Sequence, residues 1–377
     1  MTRPRAFALV AVATLAVGVF LVTVPTFREF FDLGVYRGAV RYWLVDGGEL
    51  YDYLYQDTEY GFTYPPFAAL VLSPLALTSW PVAIAFSVAL NAACVALLLR
   101  WYLLPMRRRS VWMPAALAFL AVLVFEPARD TFSFGQVNLA LLVLVCSDLR
   151  RTQWRGVGIG LAAAVKLTPA VFIGYLILTR QYRAAAVATG TAAAATVLAY
   201  LVAPDTSRRF WTGALWDTDR VGNLAYVSNQ SLRGVVARLG VSPLWWLLAV
   251  AVILLIWWLG VRAARDDTTG FALTGIVACL ISPVTWVHHL VWLLPALFLL
   301  AGRASRRGLI VLAAVYVVLS SSVVWLWWAG AHGFLALIGS NTYVWISIGL
   351  LLALEPPGRA TYGRWRRAPY VRRVPTT

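Results

Sequence analysis

The chain has 377 residues, of which 61% are hydrophobic and only 13% are charged. Soluble domains carry about a quarter charged residues, so this composition excludes a soluble fold. The formal net charge of +16 raises nucleic-acid binding as a possibility, which depends on where the basic residues lie.

Apolar runs recur along the whole chain, which predicts an all-α, polytopic integral membrane protein. The first run, residues 6–24, is interpreted as a retained helix because no small-residue cleavage site follows it. The three cysteines lie in apolar runs, and their odd number argues against a disulfide framework. The remaining predicted spans cover residues 80–99, 111–125, 138–149, 184–203, 242–262, 270–282, 288–301, 309–328 and 342–354.

Two further apolar pieces lie between Arg155 and Arg183 and are interrupted at residues 166–169. Each piece is too short to cross a hydrocarbon core of about 30 Å, so we predict a helical hairpin that enters from the cytoplasm. Lys166, the only lysine, lies between the two half-helices, where a cation must pair, reach water or bind an anion. Phosphate binding is one interpretation, and snorkelling to the membrane surface is the other.

Arginine-rich segments alternate with arginine-poor loops along the chain. The positive-inside rule places the arginine-rich ends in the cytoplasm. The basic residues therefore orient the protein and contact anionic lipids, and they leave little support for nucleic-acid binding. This organisation predicts one membrane domain, residues 1–354, and a basic cytoplasmic tail, residues 355–377.

Polar residues gather in the loops that this orientation places outside. Two of these loops are long, residues 27–66 and 204–241, and shorter outer segments follow at 126–138, 282–289 and 330–341. Binding sites need convergent polar groups, and only this face supplies them. We therefore predict an active surface on the periplasmic or extracellular side of the cell membrane.

Three outer groups have competing interpretations. Asp32 lies among interfacial aromatic residues, where a carboxylate also occurs as a helix N-cap or a solvated loop residue. His288 and His289 are adjacent, so on an α-helix we expect only one to face the site, and a histidine bonded to backbone is the alternative. Asp217 and Asp219 have the spacing of a metal-binding pair, but the pattern is frequent, and a solvated loop explains it better.

Six segments in order resemble glycosyltransferase family 87: residues 32–36 (DLGVY), 62–67 (FTYPPF), 135–138 (GQVN), 166–169 (KLTP), 229–232 (NQSL) and 282–289 (SPVTWVHH). The resemblance implies a GT-C fold, with about 10 to 12 membrane helices around an outward cavity. It also implies a polyprenyl-monophosphate sugar as donor. Family members include mannosyltransferases of phosphatidylinositol mannoside and lipomannan synthesis, and arabinofuranosyltransferases.

Carried over to this chain, the family pattern makes Asp32 the catalytic general base. It places the donor phosphate near His288 or His289. Other candidate donor-binding cations are Lys166, Arg129 and Arg233. The candidate substrate-binding residues are Tyr36, Tyr64, Glu126, Gln136, Asn138, Asn229 and Gln230.

The expected function is inverting transfer of a mannosyl residue from polyprenyl-phosphate mannose to a lipid-linked or glycan hydroxyl. Arabinofuranosyl transfer is the nearest alternative and differs in the donor. A lipid or sugar transporter would place broken helices at the midplane and often show internal repeats, whereas only one broken region and no repeat are apparent. A non-catalytic scaffold leaves Asp32, Lys166 and the histidine pair unexplained.

We predict that the reaction needs no metal or other cofactor. A lipid monophosphate leaving group carries less charge than a nucleotide diphosphate, so a few basic side chains can neutralise it. EDTA should therefore leave the transfer rate of purified protein unchanged. Loss of activity that manganese restores would contradict this and direct attention to Asp217 and Asp219.

Overall fold

The computed structural model describes residues 3–56, 58–103, 112–217, 220, 222–328 and 333–354. The predicted basic tail, residues 355–377, lies outside the described residues, and so does Asp219. Within the described residues the secondary structure is helical apart from one isolated bridge between Leu54 and Gly61. The prediction of an all-α chain is confirmed.

The α-helices are α1 (Arg3–Thr23), α2 (Phe31–Leu44), α3 (Pro66–Leu72), α4 (Trp80–Leu103), α5 (Trp112–Val124), α6 (Glu126–Phe134), α7 (Asn138–Ser147), α8 (Val157–Val165), α9 (Val171–Leu178), α10 (Tyr182–Val202), α11 (Pro204–Arg209), α12 (Leu232–Arg238), α13 (Leu244–Ala263), α14 (Asp267–Ile281), α15 (Leu294–Arg303), α16 (Arg306–Ser320), α17 (Phe334–Ser340) and α18 (Thr342–Ala353). Short 3₁₀ helices cover Ser73–Leu77, Asp148–Arg150, Thr168–Ala170, Val287–Leu293 and Val323–Trp327, and a π-helical turn covers Phe210–Ala214.

Four helices, α1, α4, α10 and α13, are long and apolar enough to cross a membrane, and the number is six if two bent pairs each form one span. The bent pairs are α5 with α6, at 72°, and α17 with α18, at 65°. These helices agree with a membrane protein. Each predicted span overlaps a helix, but the span 309–328 is interrupted at Ser321 and Ser322, between α16 and a 3₁₀ helix, and several of the helices are too short to cross upright. The count of 10 to 12 therefore stays a prediction.

Helix α14 lies at the centre of the bundle, where it packs against α9, α13, α15 and α18. All its residues from Thr269 to Leu280 are buried. Its Thr274 hydroxyl accepts a hydrogen bond of 3.0 Å from the Trp257 indole nitrogen, which satisfies a polar group that hydrocarbon would leave unpaired. In contrast, α1 buries only Ala6, as expected for a helix with most of its surface in lipid.

The predicted hairpin consists of α8 and α9, and its interruption at residues 166–170 is confirmed. Lys166 has an extended backbone at the end of α8, and Pro169 lies in the 3₁₀ turn before α9. Helix α8 packs closely along α10, where a Cβ at Gly160 would overlap the Ala188 carbonyl oxygen. This close packing of α8 on α10 positions Lys166 beside Tyr64 and Asn138.

The outer segments contain more helix than the sequence analysis predicted. Residues 27–66 include α2, residues 126–138 include α6, and residues 204–241 include α11 and α12. These helices are short or amphipathic, so they lack the long apolar run that identified the spans. Helix α2 packs against α3, α4 and α6, which brings the first outer segment onto the bundle.

Candidate active site

A cavity of about 470 Å³, named here the Asp32 cavity, opens between the first outer segment, the hairpin interruption and residues 282–289. Its polar and charged lining includes Arg28, Asp32, Tyr36, Tyr60, Thr63, Tyr64, Gln136, Lys166, Thr168, Asp217, Arg220, Ser228, Ser282, His288 and His289. Aromatic and aliphatic side chains line the rest. A concave, mostly apolar pocket with a few convergent polar groups is typical of a substrate site.

Asp32 lies in the first turn of α2 and is partly buried in the cavity wall. Its Oδ2 accepts a hydrogen bond of 2.6 Å from Gln136 Nε2. Burial raises the pKa of the Asp32 carboxyl to about 6, while the Gln136 hydrogen bond and the Lys166 charge partly oppose the rise. A carboxylate with a pKa near working pH suits proton abstraction.

Gln136 is held so that its amide nitrogen faces Asp32. Its Oε1 accepts hydrogen bonds from the Tyr64 hydroxyl at 3.1 Å and from Asn138 Nδ2 at 3.2 Å. The Tyr36 hydroxyl lies 2.9 Å from that of Tyr64. Three residues, Tyr36, Tyr64 and Asn138, therefore fix the orientation of the Gln136 amide that contacts the carboxylate.

The turn that carries Gln136 needs a glycine before it. Gly135 ends α6 with a φ of 70°, in the left-handed region that favours glycine. A Cβ at this position would also overlap the Leu33 side chain. The glycine thus permits α6 to end against α2, directly beside Asp32.

Lys166 joins the same hydrogen-bonded network from the hairpin interruption. Its Nζ donates to Asn138 Oδ1 at 3.1 Å and to the Tyr64 hydroxyl at 3.3 Å, and it lies 2.9 Å from His289 Nε2. It also lies 5.0 Å from the centre of the Tyr64 ring. The hydrogen bonds to Asn138 and Tyr64 hold the Lys166 amino group at the cavity wall.

Both histidines line the Asp32 cavity, so the expectation that only one would face the site is wrong. The cavity wraps around the start of the 3₁₀ helix Val287–Leu293 and also contacts Ser282, Pro283, Val284 and Trp286. His289 Nδ1 accepts a hydrogen bond of 3.2 Å from the Trp286 backbone nitrogen. The His288 ring is buried 5.0 Å from the Phe134 ring, and its Nε2 has no protein partner.

Two candidates on α6 lie away from this lining. Glu126 is buried and accepts hydrogen bonds from the Trp325 indole nitrogen, at 2.7 Å, and from the Tyr343 hydroxyl. Arg129 donates to the Ser320 carbonyl oxygen at 3.3 Å and to the Ser322 hydroxyl at 2.7 Å. Both side chains connect α6 to the last third of the chain.

Asn229, Gln230 and Arg233 also lie outside the residues that line the Asp32 cavity. The amide of Asn229 binds backbone at Pro283 and Thr285, and that of Gln230 donates to two backbone carbonyl oxygens. Arg233 lies with its guanidinium 5.8 Å from the Trp246 ring. The Asn229 amide holds segment 282–289 in place, whereas the Gln230 amide binds Val227 and Ser340.

The sequence analysis missed Arg28, which lines the Asp32 cavity. Its guanidinium lies 4.5 Å from the Trp325 ring and 5.6 Å from the Phe134 ring. Arg220 lines the same cavity and donates to the Tyr51 carbonyl oxygen. The signal was present, since Arg28 is an outer arginine four residues before Asp32, but arginines were interpreted chiefly as markers of orientation.

Among the described residues, no group of three or more histidine, cysteine, aspartate or glutamate side chains is arranged to hold a metal ion. Asp217 lines the Asp32 cavity, while its proposed partner Asp219 lies outside the described residues. Metal independence therefore stays a prediction.

A known protein family matches a large part of the chain. Residues 62–283 match the model of glycosyltransferase family 87, which covers more than half of the chain. The chain belongs to glycosyltransferase family 87. The match spans Tyr64, Gln136 and Lys166 of the network around Asp32.

Curated relatives in this family are enzymes. The chain is 38% identical over 317 residues, 73% of its length and 70% of the relative's, to a polyprenol-phosphate-mannose-dependent alpha-(1-2)-phosphatidylinositol mannoside mannosyltransferase of Mycolicibacterium smegmatis. It is 35% identical over 314 residues, 75% of its length and 72% of the relative's, to a protein of the same name from Mycobacterium tuberculosis.

A third relative is a phosphatidylinositol pentamannoside mannosyltransferase of M. smegmatis, 36% identical over 80% of this chain and 77% of its own length. No solved structure matches the chain. The resemblance to family 87 and the prediction of a hexosyltransferase are confirmed.

Proposed function

We propose that this protein transfers a mannosyl residue from polyprenyl-phosphate mannose to a hydroxyl of a phosphatidylinositol mannoside or related glycolipid. Transfer takes place on the non-cytoplasmic face of the cell membrane. The domain that performs it covers residues 1–354 and has a GT-C type bundle of 10 to 12 membrane helices. The proposal rests on one observation. Asp32, Lys166 and His289 all line the same cavity, and Lys166 Nζ lies 2.9 Å from His289 Nε2.

Asp32 acts as the general base in this proposal. A single displacement with inversion needs one base for the acceptor hydroxyl, and a second carboxylate is not required. Gln136 donates a hydrogen bond to Asp32, and the Tyr64 hydroxyl donates to Gln136, so both side chains keep one orientation. The acceptor hydroxyl binds at Asp32, gives up its proton to the carboxylate and attacks the anomeric carbon.

Lys166 and His289 stabilise the departing lipid phosphate. Cleavage of the sugar–phosphate bond adds negative charge to the phosphate oxygens, and fixed hydrogen-bond donors that meet this charge lower the barrier. Lys166 donates to the Tyr64 hydroxyl, Tyr64 donates to Gln136, and Gln136 donates to Asp32, so one hydrogen-bonded chain links the proposed base to the proposed phosphate-binding cation.

The names of the relatives support mannose as the sugar. The test is transfer by purified protein with radiolabelled polyprenyl-phosphate mannose and a crude phosphatidylinositol mannoside fraction. We expect labelled glycolipid with this donor and none with the corresponding arabinofuranose donor. Product with only the arabinose donor would replace the proposal with arabinofuranosyl transfer, and no product with either would refute it.

The non-cytoplasmic location of the site is testable by labelling. Arg3 and Arg5 lie at the start of α1, whereas the Asp32 cavity lies beyond its other end, so the positive-inside rule directs the cavity outward. The three native cysteines are buried. In intact cells we expect a membrane-impermeant maleimide to label Glu59→Cys and not Thr152→Cys. The reverse pattern would place the site in the cytoplasm.

The rate should depend on the ionisation of Asp32. Its pKa is raised to about 6, and only the ionised carboxylate accepts a proton. Below pH 6 we expect kcat/KM to fall about tenfold per pH unit, because the ionised fraction of Asp32 falls by that factor. Initial rates between pH 4.5 and 8 measure the profile, with activity re-measured at pH 7.5 as a control for acid inactivation. A midpoint near pH 4 would contradict the assignment.

A further inference from the structure

A second cavity, named here the Arg129 cavity, has a volume of about 420 Å³ and lies at the end of α1. It shares two lining residues, Arg28 and Trp325, with the Asp32 cavity. The other lining residues are Phe20, Val24, Pro25, Thr26, Arg129, Asp130, Ser320, Ser321, Ser322 and Trp328. The two cavities are thus separated by the stacked Arg28 and Trp325 side chains.

Four polar atoms of the lining residues have no hydrogen-bond partner in the protein. They are Arg28 Nε, Arg129 Nε, Asp130 Oδ2 and Ser320 Oγ. Arg129, Asp130 and Ser320 are each more than nine-tenths buried, with exposed fractions of 7%, 3% and 8%. Buried polar groups in native proteins are almost always paired. Their concentration at one cavity therefore indicates a polar occupant.

The charges around the Arg129 cavity favour an anion. Arg28 and Arg129 supply two cations, and Asp130, 4.0 Å from the Arg28 guanidinium, supplies one carboxylate. Glu126, one turn before, is engaged with Trp325 and Tyr343. The lining therefore has a surplus of one positive charge, and guanidinium groups match the geometry of phosphate oxygens.

The rim of the cavity indicates that this anion belongs to a lipid. Val24 and Trp328 are 67% and 68% exposed, and α1 beside them has almost no buried surface. Tryptophan is enriched at membrane interfaces, where its apolar ring and polar nitrogen meet both environments. A basic pocket with an apolar rim at this level suits a phosphate group that carries acyl chains.

We propose that the Arg129 cavity binds the phosphodiester headgroup of an anionic membrane lipid, with Arg129 and Arg28 as its counter-cations. Because Arg28 and Trp325 belong to both cavities, a lipid bound here extends its headgroup toward Asp32. The acceptor glycolipid and the bulk anionic phospholipids share this phosphodiester chemistry. The acceptor role rests on the proposed function, whereas headgroup binding does not.

Lipid binding to the purified full chain, measured by native mass spectrometry, tests the site without any transfer reaction. Phosphatidylinositol and phosphatidylglycerol are the probes, and diacylglycerol is the control that lacks phosphate. We expect Arg129→Gln to weaken binding of both probes at least about tenfold, as for a lost hydrogen bond between charged groups, and to leave diacylglycerol unchanged. Binding equal to wild type would overturn the proposal.

Arg129 also holds α6 to residues 320–322, so a second variant is needed. Ser321 is exposed on the cavity wall and bonds only to the nearby Val318 carbonyl oxygen. Ser321→Phe should fill the cavity and weaken phospholipid binding while both arginines remain. Arg262→Gln removes an exposed arginine that also stacks on a tryptophan and should bind like wild type. Unaltered binding by Ser321→Phe would overturn the proposal.

Kinetics separate the two lipid sources. If the acceptor occupies the cavity, Ser321→Phe should raise the acceptor KM about tenfold and leave the donor KM unchanged. If bulk lipid occupies it, both KM values should stay constant, and we expect phosphatidylglycerol to stimulate the wild-type rate but not the rate of the variant. A rise in the donor KM alone would overturn the proposal, since the cavity would then serve the donor.

Discussion

Asp32→Asn is expected to reduce kcat about 10²- to 10⁴-fold, the usual range for loss of a general base. The substitution keeps size and lets the asparagine oxygen accept the hydrogen bond from Gln136 Nε2, so the cavity should keep its shape. What is lost is the carboxylate that accepts the proton from the acceptor hydroxyl. Initial rates at saturating donor, with purified protein, measure the effect.

The matched control for this variant is Asp46→Asn. Asp46 follows α2 in the same segment, 27–66. Its side chain is half exposed, and its ion-pair partner Arg41 is as far as 4.0 Å away. An exposed pair of this kind contributes little, so its removal should leave kcat near wild type. A correctly inserted Asp32→Asn protein that transfers sugar as fast as this control would remove Asp32 from the catalytic role.

Replacement of Lys166 should have the next largest effect. Lys166→Gln can keep a hydrogen bond to Asn138 or Tyr64 but removes the positive charge that meets the departing phosphate. We expect kcat to fall about 10²- to 10³-fold, as for loss of a group that stabilises charge in the transition state. Lys166→Met removes both the charge and the donor, so its rate should be lower still.

Thermal unfolding of the two Lys166 variants separates a chemical role from a structural one. Loss of the donor in Lys166→Met leaves Asn138 Oδ1 without this partner, which costs about 1–3 kcal/mol when the group is buried. Arg41→Met, at an exposed outer cation, is the control. If Lys166→Gln and wild type had equal kcat, Lys166 would serve the fold and not the leaving group.

The long apolar helices and the broken hairpin were predictable because each leaves a direct trace in the sequence. A run of about twenty apolar residues predicts α1 and likewise α4. Lys166 and Pro169 mark the break between α8 and α9. Helices α2 and α6 leave no such trace. They are stabilised by packing on the bundle, and their polar residues resemble those of loops.

The candidate site was predictable where family motifs supply side chains that meet, as for Asp32, Gln136 and Lys166. Sequence alone does not show which polar side chains are hydrogen-bonded to backbone groups and therefore do not face the cavity. Gln230 and Arg233, like Asp32, lie in a segment predicted to be outside. The Gln230 amide, however, binds two backbone carbonyl oxygens, and the Arg233 guanidinium lies over the Trp246 ring. Arg28 is recognisable as a cavity residue only from the structure, which places its guanidinium against the Phe134 and Trp325 rings.

The fixed direction of the Gln136 amide determines what this position tolerates. Its oxygen already accepts hydrogen bonds from Tyr64 and Asn138, so its nitrogen is the atom that faces Asp32. Glutamate has the same shape, but ionised it would set two like charges against each other, and one would have to hold a proton. A proton kept between two carboxyl groups would occupy the base before any sugar acceptor arrived. In the proposed mechanism, the Gln136 nitrogen thus leaves the Asp32 carboxylate free to take the proton of the acceptor hydroxyl.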